Sequence, residues 1–264
     1  MTKGLKVSIP KKYDETMSFI IAGDWHSKYM DMTTYRYMCK VAKMYGITNL
    51  IINGDFLDVE YLYKKEPAYK KWIKRGDGLE EFFVPETEKE ITWGNMILDE
   101  LQTHFTKIYY LMGNHEFRFW DFQEICPVAY QHNFNLPLQL ELDKRNIIWL
   151  PYNEWLDVGA VAITHGMYHG ATAPKKHFEA AGGNVIFSHV HYEEIKAFVR
   201  RGQSVHAHST PAMCNLNPAY MKNRDNNWSN GFGVLHVRGN GMFNFYTYSV
   251  WGSKLMLPDG TLLK

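Results

Sequence analysis

Phe19-Ile20-Ile21-Ala22-Gly23-Asp24-Trp25-His26 opens as an uninterrupted apolar run and breaks, through a glycine, into two side chains able to ligate metal. A run this short, bounded by glycine and rich in Ile, reads as a buried strand rather than a helix. The same grammar recurs downstream. Leu50-Ile51-Ile52 leads into Gly54-Asp55-Phe56-Leu57-Asp58, and Ile108 to Met112 leads into Gly113-Asn114-His115-Glu116. Between these runs, Thr33 to Tyr45 (ended by Gly46) and Glu88 to Phe105 carry helical patterning. Strand–helix–strand order predicts a parallel sheet with crossover helices, whose functional groups gather at the carboxyl ends of the strands.

The second half changes character. Strands are expected at 147–150, 158–164, 184–187, 195–199, 204–208, 233–237 and 242–248, with the clearest helix at Pro174 to Ala181. Arg201-Gly202 and Gly239-Asn240-Gly241 signal hairpin turns. The fold class is therefore α/β, with two facing mixed β-sheets forming a sandwich flanked by helices. No repeat, low-complexity tract or Pro/Gly/Ser linker divides the chain, which predicts one domain over residues 1–264.

Composition narrows the function classes. A net charge of +1 on 264 residues creates no global field toward nucleic acid or an anionic membrane. Cys39, Cys126 and Cys214 are odd in number and form no CxxC pair, which argues against a disulfide framework or thiolate zinc site and fits a reducing compartment. The N-terminus carries Lys3, Lys6, Lys11 and Lys12 without a following apolar stretch, and no later run approaches the roughly 20 residues of a spanning helix. A cytoplasmic protein without membrane attachment is the expectation; nothing in the sequence fixes its oligomeric state.

Tyr61 to Arg75 interleaves six basic residues with Tyr61, Tyr63, Tyr69 and Trp72, ahead of an acidic run from Asp77 to Glu90. Two readings stand: a groove for nucleic acid, or a solvated helix face with its aromatics turned inward and its charges paired to the acidic run.

Two further clusters complete the polar set, Thr164-His165-Gly166 and Ser188-His189-Val190-His191. Asp24 and His26, one residue apart, can aim at a common point, and so can His189 and His191. Asp55 offers two carboxylate oxygens that can bridge two ions; Asn114 supplies an amide oxygen and His165 an imidazole. Mixed nitrogen and oxygen donors without sulfur suit manganese, iron, zinc or nickel better than calcium. Such a pair can deprotonate a shared water and clamp both oxygens of an in-line displacement at phosphorus. His115, beside Asn114 and not needed for coordination, is the candidate acid for the leaving group. Glu116 is expected to hold its ring or raise its pKa. Asp58 is cast as the partner that orients a ligand histidine. Arg118 either reaches the substrate phosphate or serves the surface, and His169 is a candidate substrate contact.

These clusters resemble the calcineurin-like metallophosphoesterase family, whose pattern runs D-x-H, G-D-x-x-D, G-N-H-D/E, H and G-H-x-H. The matching positions run in the family's order from Asp24 to His191. The stretch Asn227-Trp228-Ser229-Asn230-Gly231-Phe232-Gly233 is similar to a compact subgroup often carried by bacteriophages, which would place the protein in a host cytoplasm. The resemblance implies one metal held by Asp24, His26, Asp55 and His191, and another held by Asp55, Asn114, His165 and His189. It also implies His115 as general acid and a phosphoester substrate, with manganese the first choice of ion. A nuclease using segment 61–75, or a catalytically idle scaffold for protein partners, are the alternatives. Ser188 departs from the family's glycine. Where that position demands a positive φ, Ser strains the turn and loosens His189; with every ligand present, tuning rather than loss is expected.

Other histidines carry less. His206 and His208 alternate on one strand face and are expected to point at the site rim or pair with backbone groups. His177 is expected to be a satisfied surface or core residue, and Trp25 a packing wall. Specificity is expected in loops at 61–85, 117–137 and 167–174.

Overall fold

The computed structural model describes residues 4–8, 15–218 and 225–263; Lys3, Lys11 and Lys12 lie outside them. In chain order the elements are β1 (Leu5–Val7), β2 (Thr16–Ala22), α1 (Met32–Tyr45), β3 (Asn49–Asn53), α2 (Pro67–Arg75), α3 (Val84–His104), β4 (Lys107–Leu111), α4 (Asn114–Gln123) and α5 (Leu136–Gln139). There follow β5 (Ile148–Leu150), β6 (Leu156–Val158), β7 (Val161–Thr164), α6 (Ala173–Ala181), β8 (Asn184–Phe187), β9 (Glu194–Arg200), β10 (Gln203–Ser209), β11 (Asn230–Arg238), β12 (Phe243–Trp251), β13 (Lys254–Met256) and β14 (Leu262–Leu263).

They build two mixed sheets. The larger has the order β14-β13-β12-β11-β2-β3-β4-β5, and the smaller β1-β6-β7-β8-β10-β9. β2 to β5 run parallel, as the strand–helix alternation predicts, and β11 joins β2 antiparallel.

Why β2, β3 and β4 read as unbroken apolar runs is plain from their two faces. Phe19, Ile21, Ile51, Tyr109 and Leu111 point into the layer between the sheets, where they meet Val158, Ile163 and Ile186. Ile20, Ala22, Leu50, Ile52, Ile108 and Tyr110 point the other way, under the helices with Met38, Leu98 and Leu101. A strand covered on both faces has no polar alternation to show. The smaller sheet does the same, with Val185, Phe187 and Ala207 turned toward Ala173 and Phe178 of α6. The layers are helix, sheet, sheet, helix.

Local signals hold the helices in place. The Asp31 side chain caps α1 by accepting the Thr34 N–H at 2.7 Å, and Gly46 ends it at φ 62°. Both expected hairpins form, β9–β10 and β11–β12. The strand expected at 158–164 is instead the antiparallel pair β6 and β7, turning at Gly159 (φ 62°).

Two of the three expected specificity loops are largely helical. Segment 61–85 contains α2 and a π-helical turn (Leu79–Phe83), and 117–137 contains most of α4 and a 3-10 stretch (Val128–Phe134). Tyr69 and Trp72 of α2 are buried against Phe122, and Trp72 also against Phe83. Lys64 pairs with Asp121 at 2.7 Å and Lys71 with Asp77 at 3.9 Å. Two of the aromatics that would make this segment a strand-binding groove are spent on the core. Among the described residues, no helix is long and apolar enough to cross a membrane.

Candidate metal centre

The exits of β2, β3, β7 and β8 converge. Backbone bonds stitch the first two together: Asp24 N–H donates to Gly54 O, and Trp25 and His26 N–H both donate to Asp55 O. Within these exits Asp24 (φ 56°), His26 (52°), Asp55 (48°), His189 (73°) and His191 (63°) all adopt left-handed backbone. Each such residue costs on the order of 1–2 kcal/mol. Five among the seven expected ligands show a backbone bent to aim side chains inward.

The seven side chains do meet. His165 Nε2 lies 3.3 Å from Asp55 Oδ2 and 3.1 Å from Asn114 Oδ1. His26 Nε2 is 4.0 Å from the same Asp55 oxygen, and His191 Nε2 is 3.4 Å from Asp24 Oδ1. Asp55, His165 and His189 form one group whose donor atoms lie within 4.8 Å of one another; His26, Asp55 and His115 form a second, and His26, His191 and Cys214 a third. Asp24 also accepts the His189 backbone N–H at 3.0 Å, tying the two sheets together. Gly113 is needed for this closeness, since a Cβ there would sit 2.1 Å from Asp55 Oδ1.

The donor chemistry fits a cation. His26 donates its Nδ1–H to Asp58 Oδ1 at 3.1 Å, and His165 donates its Nδ1–H to the Asn53 carbonyl at 2.9 Å. Both rings therefore turn an Nε2 lone pair inward. Nε2 of His26 faces Nε2 of His191 across 3.3 Å, and two imidazole nitrogens that close repel unless a cation or a proton stands between them.

His115 sits beside this group, its side chain 18% exposed and its Nε2 3.9 Å from Asp55 Oδ2. Its Nδ1–H donates to the Asp58 carbonyl at 2.5 Å, with the Asp58 carboxylate 3.4 Å away. Burial works to lower its pKa, but the Asp55 charge and the Asp58 contact outweigh it and leave the ring above its ordinary value. Burial pushes the Asp58 carboxyl up, yet the His115 and His26 rings hold it well below the usual carboxylate range.

Glu116 takes a different place from the one expected. Its carboxylate is fully buried and accepts the backbone N–H groups of Asp55 (3.0 Å), Leu57 (2.9 Å) and Gly113 (2.8 Å) and the Tyr110 hydroxyl (3.2 Å). It holds the Asp55 loop, and Asp58 holds the His115 ring. Arg118 is anchored as well, donating to the Asp58 carbonyl at 3.1 Å with its guanidinium 5.1 Å from the Tyr63 ring. The His169 ring stands 6.4 Å from that of His189.

Ser188 does not take the positive φ that would strain it, because the left-handed turn falls on His189. Ser188 is instead a buried junction. Asn53 Nδ2 donates to its Oγ at 2.8 Å, Thr210 Oγ1 lies 2.7 Å away, and a Cβ on Gly23 would come within 2.3 Å of that Oγ. Trp25 is buried and donates its indole N–H to the Ala22 carbonyl, a packing wall as expected. His177 is a satisfied core residue, bonded to the Ala173 carbonyl and Met167 N–H and stacked on Phe187. His208 departs from expectation: it packs on Phe245, and among the described residues neither ring nitrogen finds a hydrogen-bond partner.

Sequence reading missed Asn53, which orients His165 through its carbonyl; Cys214, whose Sγ is 3.9 Å from His191 Nδ1; and Trp228, whose ring lies 4.1 Å from that of His191. Asn53 directly precedes Gly54-Asp55 and was legible by position. Cys214 and Trp228 arrive from distant segments with no spacing to betray them.

A family model described as calcineurin-like phosphoesterase matches residues 17–237. Among solved structures, the chain is similar to Vps29 of Chaetomium thermophilum at 10% identity and a TM-score of 0.45, covering 94% of this chain and 92% of that one. Another solved structure is 9% identical at a TM-score of 0.49, covering 88% of this chain and 99% of its own. No curated protein matches. With well over half of its length matched to that model, the chain belongs to the calcineurin-like phosphoesterase family.

Proposed function

We propose that this chain is a phosphoesterase that works with two divalent cations and hydrolyses phosphomonoesters or phosphodiesters. The observation that carries the proposal is Asp55, whose Oδ2 faces His26 Nε2 and His165 Nε2 together. One carboxylate between two sets of nitrogen donors is the arrangement a pair of cations requires. Asp24, His26, Asp55 and His191 would hold one ion, and Asp55, Asn114, His165 and His189 the other. Manganese suits this donor set first, with iron, zinc or nickel as alternatives.

When bound, the ions supply Lewis-acid neutralisation of phosphoryl charge and acidify a water toward neutral pH. The chain's own groups do the rest. Asp58 fixes the His26 ring by its carboxylate and the His115 ring by its carbonyl. With Nδ1–H committed to that carbonyl, His115 carries its transferable proton on Nε2, on the Asp55 side of the ring. Delivered to the departing ester oxygen, that proton spares the leaving group an alkoxide charge. Three buried free cysteines fit a reducing compartment, and we place the protein in the cytoplasm.

The test is hydrolysis of p-nitrophenyl phosphate and bis-p-nitrophenyl phosphate by metal-stripped protein refilled with manganese, beside Asp55→Asn. Manganese-dependent turnover lost in the variant is expected. Silence on both esters with two ions bound would overturn the proposal.

A further inference from the structure

A groove of about 750 Å³ opens beside the metal centre, with the candidate ligand His189 in its lining. That volume falls in the range of small-molecule sites, about 300–1,000 Å³. Its walls come from three places: His169 and Gly170 in the irregular segment after β7, the stretch with Val190, Tyr192, Glu194 and Lys196 that runs from the exit of β8 into β9, and Asn227-Trp228 ahead of β11.

The Trp228 ring leans on His191 at 4.1 Å and 52°, and the residue is only half-buried. Among the described residues, neither its indole N–H nor the Asn227 side-chain amide has a protein hydrogen-bond partner. On the opposite side nothing lies within 4 Å of the place where a Gly170 Cβ would stand, so the wall there has room. Lys196 adds a positive charge to the lining and Glu194 a negative one, while Glu193 accepts from the Ser249 hydroxyl at 2.7 Å. A flat indole ring, an exposed side-chain amide and charges of both signs make poor walls for an acyl chain. They suit a planar heterocycle carrying its own donors and acceptors.

We propose that the groove takes the nucleoside portion of the phosphoester substrate, its base stacked on Trp228 and hydrogen-bonded by Asn227. This rests on the phosphoesterase reading above. A phosphoryl group at the His189 end would let its sugar and base extend along this groove. Base–aromatic stacking changes affinity by about five- to hundredfold per base, so Trp228 would act as a specificity-determining residue.

Thymidine 5′-(p-nitrophenyl phosphate) and methyl p-nitrophenyl phosphate share a leaving group and differ in the nucleoside. The ratio of their kcat/KM values in the manganese-loaded chain is expected to favour the thymidine ester about five- to hundredfold. Trp228→Ala should reduce that ratio by a comparable factor, chiefly through KM, and Trp228→Phe should restore most of it. A wild-type ratio near one, or a Trp228→Ala ratio equal to the wild type's, overturns the proposal. If neither diester turns over, the p-nitrophenyl phosphate assay above decides the phosphoesterase reading on its own, and calorimetry with thymidine 5′-monophosphate against ribose 5-phosphate reads the groove alone. Tighter binding of the nucleotide that is lost in Trp228→Ala sustains the groove; equal or absent binding sinks it.

Discussion

Oε2 of Glu116 accepts the backbone N–H of Asp55 at 3.0 Å, so the carboxylate that follows the candidate acid in sequence serves the candidate bridging ligand instead. With Leu57, Gly113 and Tyr110 also donating to it, Glu116 satisfies four donors in a fully buried place. Removing one partner of a buried hydrogen-bonded group exposes the full desolvation penalty of what remains. Glu116→Ala should therefore destabilise the fold by about 3–5 kcal/mol, seen as a lowered denaturant midpoint even in metal-free protein. A variant of unchanged midpoint would refute the structural role.

His115 is assigned the proton, and its loss should show only where a proton is needed. His115→Ala is expected to slow esters with poor, alkyl leaving groups by about 10²–10⁴-fold. Esters of p-nitrophenol, whose anion leaves unaided, should suffer less. Parallel kinetics on an alkyl and a p-nitrophenyl monoester check this; equal losses on both would move His115 from acid to ligand, a role its closeness to His26 and Asp55 would permit.

How far was this legible in advance? The strands carrying Asp24, Asp55 and Asn114 were plain because both faces of β2, β3 and β4 are buried, leaving apolar runs that end where the polar groups begin. The convergence of Asp24, Asp55 and Asn114 followed from their places at the ends of such strands; that His165, His189 and His191 join them from the other sheet was implied by the family resemblance. The role of Glu116 did not follow, because sequence adjacency to His115 says nothing of direction: on α4 the two side chains leave the helix about 100° apart. α2 was legible only as one of two readings of segment 61–75, since in a lysine-rich segment its inward face rests largely on Tyr69 and Trp72. The groove beside His189 was equally hidden, as its aromatic wall comes from a segment 37 positions past His191.

Asp58 touches two rings at once, through its carboxylate to His26 and through its carbonyl and carboxylate to His115. Asp58→Asn keeps the shape and the backbone carbonyl but weakens the acceptor that fixes the His26 tautomer. Partners of this kind are typically worth 10–100-fold in metal affinity. Titration of the metal-free variant with manganese should show one of two ions bound about that much more weakly. Two ions bound as tightly as in the wild type would remove Asp58 from the orienting role.

Gly113→Ala tests the closeness of the Asp55 and Asn114 loops. The added Cβ would meet Asp55 Oδ1 at 2.1 Å and Asp55 N at 2.4 Å, and the backbone has no flexible side-chain end to yield. One methyl should therefore displace Asp55 from both nitrogen sets. Loss of manganese binding with secondary structure retained, read by calorimetry and circular dichroism, is expected; two ions bound normally would show that the loops can part without harm.

His208 gives the clearest pH signature away from the centre. Burial, and after it the nearby His206 charge, lowers its pKa to about 4, and among the described residues its ring nitrogens have no partners. The unfolded chain takes up a proton near pH 6.5, the folded one only near 4. The stability of the neutral buried ring is thus fully present above about pH 6.5 and is lost as pH falls toward 4. His208→Leu, which cannot protonate and needs no partner beside Phe245, should lose less stability between pH 7 and pH 5 than the wild type, by on the order of 1 kcal/mol. Metal-free samples must be compared, so that protonation of the ligand histidines is common to both. Parallel pH–stability curves for the two proteins would show that His208 finds solvent or a partner in the folded state and carries none of the acid sensitivity.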